Sequence, residues 1–243
     1  MKYRTLQIFR PMLSSNLTQK FGENKACIGS NGKIYSTKTT CPSGQSFYQS
    51  LGMKGHSGND ISAIMGEEVY HGATFDGWIK NERDSEGGIG VDVVSNEPIF
   101  FPFPIPPELY QTAVPHEQNG KFGFLHYVKM RYWHLKTGVG ADRKQVTCGT
   151  VIGLAGNTGA SSGTHLHFAP KWCDKDGKGV ASNNGYTGAF DPNPYYNHNV
   201  TAKEHAKYMN VPTVPLSAIE QKDIREQLDL AKRLLLELRK FIV

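Results

Sequence analysis

From about Leu17 to Trp172, apolar and polar residues alternate in short runs separated by clusters of Gly, Asn, Asp, Ser and Pro. Alternation with a period of two over four to eight residues is the pattern of a half-buried β-strand. The segment "PMLSSNLTQKF" reads as an opening stretch and a short strand, and 22–55 reads as loop, with turn signals at "SNGK" and "CPSG". "NDISAI" predicts a strand. "VYHGATFDGWIKN" and "IGVDVVSN" predict a hairpin around the polar turn "ERDSEGG". "GFLHYVKMRYWHL", "GTVIGLAGNTG" and "HLHFAP" add three more strands. Five prolines between Pro98 and Pro107 exclude a central strand there and predict an extended surface excursion. No repeat of 20 to 50 residues is visible. Turns at intervals of roughly 8–12 residues point to a mainly β chain, a compact antiparallel sheet or sandwich.

The pattern changes near the C-terminus. After the linker "NVPTVP", Ser217 and Glu220 form a capping-box pair. Ile224, Leu228, Ala231, Leu235, Leu238 and Ile242 then follow at alternating spacings of four and three, the seam of a helical heptad. We assign 201–215 to a linker and 216–243 to an amphipathic C-terminal α-helix. Leu230, Leu234, Leu236 and Phe241 widen its apolar surface, and the linker favours docking or self-association over packing on its own domain.

Composition narrows the function classes. A chain of 243 residues with 38% hydrophobic and 11% aromatic residues can bury a substantial core. Its formal net charge of +5 is a mild bias toward anionic surfaces, but its charges are interspersed and no Lys/Arg block of a nucleic-acid arm occurs. No nucleic-acid partner is expected. Cys27, Cys41, Cys148 and Cys173 lack the spacing of a structural zinc ribbon; Cys27 and Cys41 flank a loop and could pair in an oxidising compartment. The N-terminus lacks an apolar core of signal-peptide length, and no 18-residue apolar run occurs. The expectation is an intracellular protein, one released by a route other than the general secretory one, or one carried in a particle.

The nine histidines carry the chemistry. His71, His116, His126, His198 and His205 read as surface or hydrogen-bonded core residues. The other four stand in distinctive contexts: His56 in "GHSGND" with Asp60 four residues on, His134 in "YWHL", and His165 with His167 in "HLHF". Residues two apart on a strand share a face, so His165 and His167 point into one site. Two histidines and one aspartate match the three protein ligands of a catalytic zinc, which keeps a fourth position open for water. Further neutral histidines at the rim could take a proton or stabilise an oxyanion. Strand geometry does not say which imidazole would bind the metal.

The same segments carry a resemblance. "GHSGND", "YWHL" and "VTCGTVIGLAGNTGASSGTHLHF", in that order, resemble the lysostaphin-type (LytM-like) M23 metallopeptidases, whose pattern is His-x-Gly-x-Asp, Tyr-x-His-Leu, then a Gly-rich approach to His-Leu-His-Phe. "LTQKFGEN", "ATFDGWI" and "GGIGVDVVS" match the family's intervening text, so that the likeness runs from Pro11 to Tyr196, within a domain at 1–200. The resemblance implies a compact antiparallel β-domain with a groove over Zn2+, with His56, Asp60 and His167 as zinc ligands. It makes His134 and His165 the catalytic pair and Tyr132 a supporting residue. Family members mostly cut stem peptides or cross-bridges of bacterial peptidoglycan, whereas some have lost ligands and act as amidase activators. All five positions are kept here. The chain departs from the pattern in three insertions, 25–55, 97–120 and 171–189, which are expected to wall the groove and set substrate preference.

The implied function is a zinc endopeptidase acting on peptidoglycan peptides, carried by a phage as a lysin or tail enzyme, or exported by a bacterium along another route. The alternatives are a non-catalytic wall-binding or activator protein and a structural assembly subunit. Deleting Pro215 to Val243 should leave hydrolysis intact while changing oligomeric state, read by light scattering, or particle incorporation. Loss of hydrolysis on deletion would contradict a docking role for that segment.

Overall fold

Nine antiparallel strands form the sheet that organises the molecule: β1 (Leu17–Gln19), β2 (Asn59–Ser62), β3 (Glu68–Tyr70), β4 (Gly77–Asp84), β5 (Gly88–Ser95), β6 (Val128–Gly138), β7 (Gln145–Val146), β8 (Val151–Ala155) and β9 (His165–Trp172). In this computed structural model, residues 2–24, 26–28, 34–36, 46–104 and 106–209 are described. The strand order is β7-β4-β5-β6-β9-β2-β1, with β8 also pairing with β6 and β3 with β8. The mainly β, antiparallel class read from the alternation is therefore the fold that forms, and Met1–Ala206 make one compact unit.

Alternation decides which face is core. Val91 and Val93 on β5, Met130 and Tyr132 on β6, Leu166 and Phe168 on β9 and Ile61 on β2 are all fully buried on one face. Each such side chain contributes about 1.5–3 kcal/mol by leaving water. The intervening positions, Asp92, Lys129, Arg131, Trp133, His165, His167 and Asp60, occupy the other face. A one-residue slip of register would exchange the two sets.

Smaller elements complete the unit. Ile8–Arg10 pairs in parallel with Tyr196–Thr201. Ile99–Pro102, Val114–Gln118 and Lys121–His126 form a separate three-stranded antiparallel sheet. The proline-rich segment thus departs from the expected surface excursion. Its first residues make an edge strand, where prolines are tolerated, because Phe101 stacks on Phe124 and meets Trp172 edge-on at 4.9 Å. "GFLHYVKMRYWHL" is likewise two strands in two sheets, divided at Tyr127.

The assignment of 201–215 to a linker is corrected at its start, since Ala202–Met209 is helical. Thr201 Oγ1 accepts from the Glu204 N–H at 3.1 Å, and Glu204 accepts from the Thr201 N–H at 2.8 Å, a capping box hidden in "TAKE". The heptad seam at 224–242 and the helix assigned to 216–243 lie outside the described residues. Cys27 is disulfide-bonded, but the suggested pairing with Cys41 also lies outside them; Cys148 and Cys173 are free.

Behind the sheet a polar network closes on protein partners. The Tyr132 hydroxyl accepts from the Gly72 N–H at 2.8 Å and faces His71 Nδ1 at 3.2 Å, while His71 Nε2 donates to the Phe75 carbonyl at 2.9 Å. This fixes His71 as the neutral Nε2–H tautomer, and burial pushes its pKa down to about 4. The unfolded chain takes up that proton first, near pH 6.5, so the contribution is complete above pH 6.5 and is lost as pH falls toward 4. His71 alone should remove about 3 kcal/mol of stability over that span. Chemical denaturation at pH 7 and pH 4.5 should show a shallower decline for His71→Asn than for the wild type, and equal declines would contradict the assignment.

Candidate metal centre

Three different local devices bring the site together. Asp60 on β2 stands directly opposite His167 on β9, a cross-strand pair set by register alone. His56 comes from the loop before β2, which is tied to the turn after β1. Its N–H donates to the Glu23 carbonyl at 3.0 Å, its carbonyl accepts from Gly22, and its Nδ1 donates to the Lys20 carbonyl at 3.2 Å. That last bond leaves Nε2 unprotonated and turned inward. Tyr48, on a short helix (Phe47–Ser50) capped by Ser46 and Gln49, packs its ring 5.4 Å from the His56 ring.

His134 arrives by a distortion. Strict alternation would put Trp133 and His134 on opposite faces of β6. The register against β5 shifts between Tyr132 and Leu135, and His134 takes a left-handed φ of 63°. Such a bulge re-aims a side chain at a cost of about 1–3 kcal/mol. The His134 ring comes to lie 4.5 Å from that of His165 and 6.1 Å from that of His167. Its Nδ1 donates to the Thr158 carbonyl at 2.8 Å, which leaves Nε2 as an acceptor. Trp133 keeps to the site face, its ring lying where a Cβ on Gly87 would be, 0.6 Å from Cε3; only glycine allows that approach.

The inner atoms form a nearly equilateral triangle. His56 Nε2 is 2.9 Å from His167 Nδ1 and 3.1 Å from Asp60 Oδ1, which is 3.0 Å from His167 Nδ1. Tetrahedral zinc with bonds of 2.0–2.2 Å spaces its ligands by about 3.3 Å. Two imidazole nitrogens and one carboxylate oxygen are also the donors that suit a catalytic zinc, so the residues fit the ion by spacing and by chemistry. Burial works against a charged Asp60, but the neighbouring His56 and His167 outweigh it and hold the carboxyl well below the usual range. Burial pushes His167 down to about 4, so it is neutral at pH 7, the form in which an imidazole can hold a metal.

His165 is set back from the triangle. Its Nε2 lies 3.8 Å from Asp60 Oδ2, and its Nδ1 is held by the Gly163 carbonyl at 2.8 Å and Ser161 Oγ at 3.0 Å. Burial, and then the neighbouring His165 and His167, push His134 down to about 3. All five residues singled out in the sequence line one cleft of about 390 Å³.

Sequence reasoning missed several residues here. Tyr48, Ser161, Arg131 and Lys171 also line the cleft, the first within the assigned insertion 25–55. The signal for the last two was present: Lys171 lies four residues beyond His167 on the same strand, and Arg131 two before Trp133, so period-two counting puts both on the site face.

No family model matches the sequence, and no curated protein matches it. Solved structures do. The catalytic domain of the antimicrobial peptidase lysostaphin from Staphylococcus simulans is 22% identical, over 58% of this chain and 79% of that one, with a TM-score of 0.39. A zinc-containing peptidase from Vibrio cholerae is 20% identical over 73% of this chain and 39% of its own, at 0.42. LytU is 21% identical over 74% and 83%, at 0.41.

Gly58, between His56 and Asp60, gives the centre a sensitive point. A Cβ there would lie 2.5 Å from the Phe168 carbonyl and 2.8 Å from His167 Nε2. Gly58→Ala should therefore tilt the His167 ring and weaken zinc binding by about 10–100-fold, the usual effect of disturbing what orients a ligand. Competition with a chromophoric chelator measures this, and unchanged affinity would count against His167 as a ligand.

Proposed function

We propose that this chain is a zinc endopeptidase that hydrolyses amide bonds in peptidoglycan peptides. The observation that carries the reading is the inward triangle of His56, Asp60 and His167, with two further imidazoles beside it in one cleft. The ordered motifs "GHSGND", "YWHL" and "HLHF", similar to those of lysostaphin-type M23 peptidases, support the choice of substrate.

His56, Asp60 and His167 would hold the ion, together leaving a net charge of +1 at the centre. Zinc supplies Lewis acidity there and makes a water acidic near neutral pH. The chain's own residues do the rest. His134 is neutral across the physiological range, with Nδ1–H spent on the Thr158 carbonyl, so its free Nε2 can accept a proton from the attacking water. His165, anchored at Nδ1, turns Nε2 toward the carboxylate side of the triangle. As an imidazolium it would donate to the developing oxyanion or to the leaving amine. Trp133 and Tyr48 wall the cleft beside the imidazoles.

Among the described residues no helix is long and apolar enough to cross a membrane. We place the enzyme at the bacterial envelope, virion-borne or exported, with a docking role for the C-terminal segment.

Two variants test the division of labour. His167→Ala should lose both zinc, read by elemental analysis, and the release of new amino groups from purified sacculi. His165→Ala should keep most of the zinc and lose about 100-fold or more in rate, as expected for removing an acid–base group. Wild-type turnover in both would overturn the mechanism, and stoichiometric zinc without any hydrolysis of several wall types would favour the activator alternative.

A further inference from the structure

Beyond the imidazoles, four charged groups meet at the middle of the site face, with Lys80, Glu82 and Asp84 of β4 farther out on the same face. Lys129 and Arg131 alternate on β6, Asp92 stands opposite Arg131 on β5, and Lys171 stands opposite Lys129 on β9. Asp92 is fully buried and fully engaged. Arg131 donates to its two oxygens at 2.9 Å each, and Lys129 reaches it at 2.7 Å while also donating to the Gly177 carbonyl. Asp84 also lines the cleft, but its carboxylate is turned to the Gly87 N–H at 2.7 Å.

Asp92 is thus taken up by Arg131 and Lys129, Glu86 at the rim accepts from Ser85 Oγ, and Lys171 is left with no described carboxylate in contact, Asp92 and Asp84 acting on its ammonium only from a distance. Lys171 is only 7% exposed, its Nζ donates to Thr187 Oγ1 at 3.2 Å, and among the described residues no carboxylate lies within 4.0 Å of it. An ammonium has three donors, and burying it with one of them used costs free energy that a hydrophobic residue of the same length would not. Burial and the nearby Arg131 push its pKa down to about 7, which expresses the same penalty. A cation kept under such conditions, and opening on the cleft that holds His165 and His167, is a receptor for an anion.

We propose that Lys171, backed by Arg131, forms a subsite for a carboxylate carried by the bound peptide, about two to four residues from the bond that is cut. The distance follows from the strand: Lys171 is four residues from His167, about 13 Å at 3.3 Å per residue, and an extended peptide advances by a similar step. The proposal rests on the reading of the cleft as a peptide site. It makes Lys171 a specificity residue, one that contacts the substrate away from the reacting atoms.

The test measures affinity, so that it does not depend on turnover. Full-length protein in a His165→Ala background is titrated by calorimetry with soluble muropeptides and with the same muropeptides whose carboxylates have been converted to amides. The carboxylate form should bind at least 10-fold more tightly. Lys171→Met should bring the two within about twofold, Lys171→Arg should restore the preference, and Lys171→Met should melt at the same temperature or higher. No preference in the parent, or an undiminished one in Lys171→Met, overturns the subsite. Failure to bind either form overturns it together with the peptide-cleft reading. A carboxylate preference in a protein that hydrolyses no wall keeps the subsite and removes only the peptidase assignment.

Discussion

The site depends on one cross-strand register, that in which His167 stands opposite Asp60. Every other element is arranged around that pair. The turn after β1 brings His56 to it, the bulge in β6 brings His134 beside it, and the core residues on the opposite face of β6, β9 and β2 keep the strands from slipping. Register in an antiparallel sheet is strongly specified when one face is buried, because a single-residue slip would expose the whole apolar set. The apolar face thus does chemical work at a distance, by fixing where two imidazoles and a carboxylate meet.

The charges on the site face form two poles of opposite character. At one, a carboxylate lies among imidazoles, of which His134 and His167 are held neutral by burial, an arrangement suited to a cation. At the other, Lys129 and Arg131 close on Asp92 while Lys171 is held by Thr187, and on our proposal this pole receives an anion. Both poles stand on the same strands, about four residues apart along β9. If the proposed subsite holds, a single extended ligand lies across them in one direction, which gives the cleft a polarity that its shape alone would not.

Much of this was legible in the sequence, for physical reasons that differ from residue to residue. Period-two alternation placed His165 and His167 on one face and identified most strands, because a half-buried strand writes its burial directly into its residue types. Asp60 and His56 were legible as a motif, while their meeting with His167 depends on long-range pairing that no local pattern encodes. His134 stood out in "YWHL", but its place in the site was legible only by resemblance, since alternation would have turned it into the core and the left-handed bulge has no glycine to announce it. The Thr201 and Glu204 cap was missed because its helix follows directly on a strand, and Phe101 because five neighbouring prolines masked an aromatic contact that forms only in the folded unit.

Tyr132 and His134 are two residues apart on the same bulged strand, one bound behind the sheet to Gly72 and His71, the other pointing into the cleft. The rear network is therefore a tether on the chemistry in front. A substitution at His71 or Tyr132, behind the sheet, is felt at the His134 ring through the bulged strand that Tyr132 and His134 share. The front of the sheet is thus tuned from a layer that never meets the contents of the cleft.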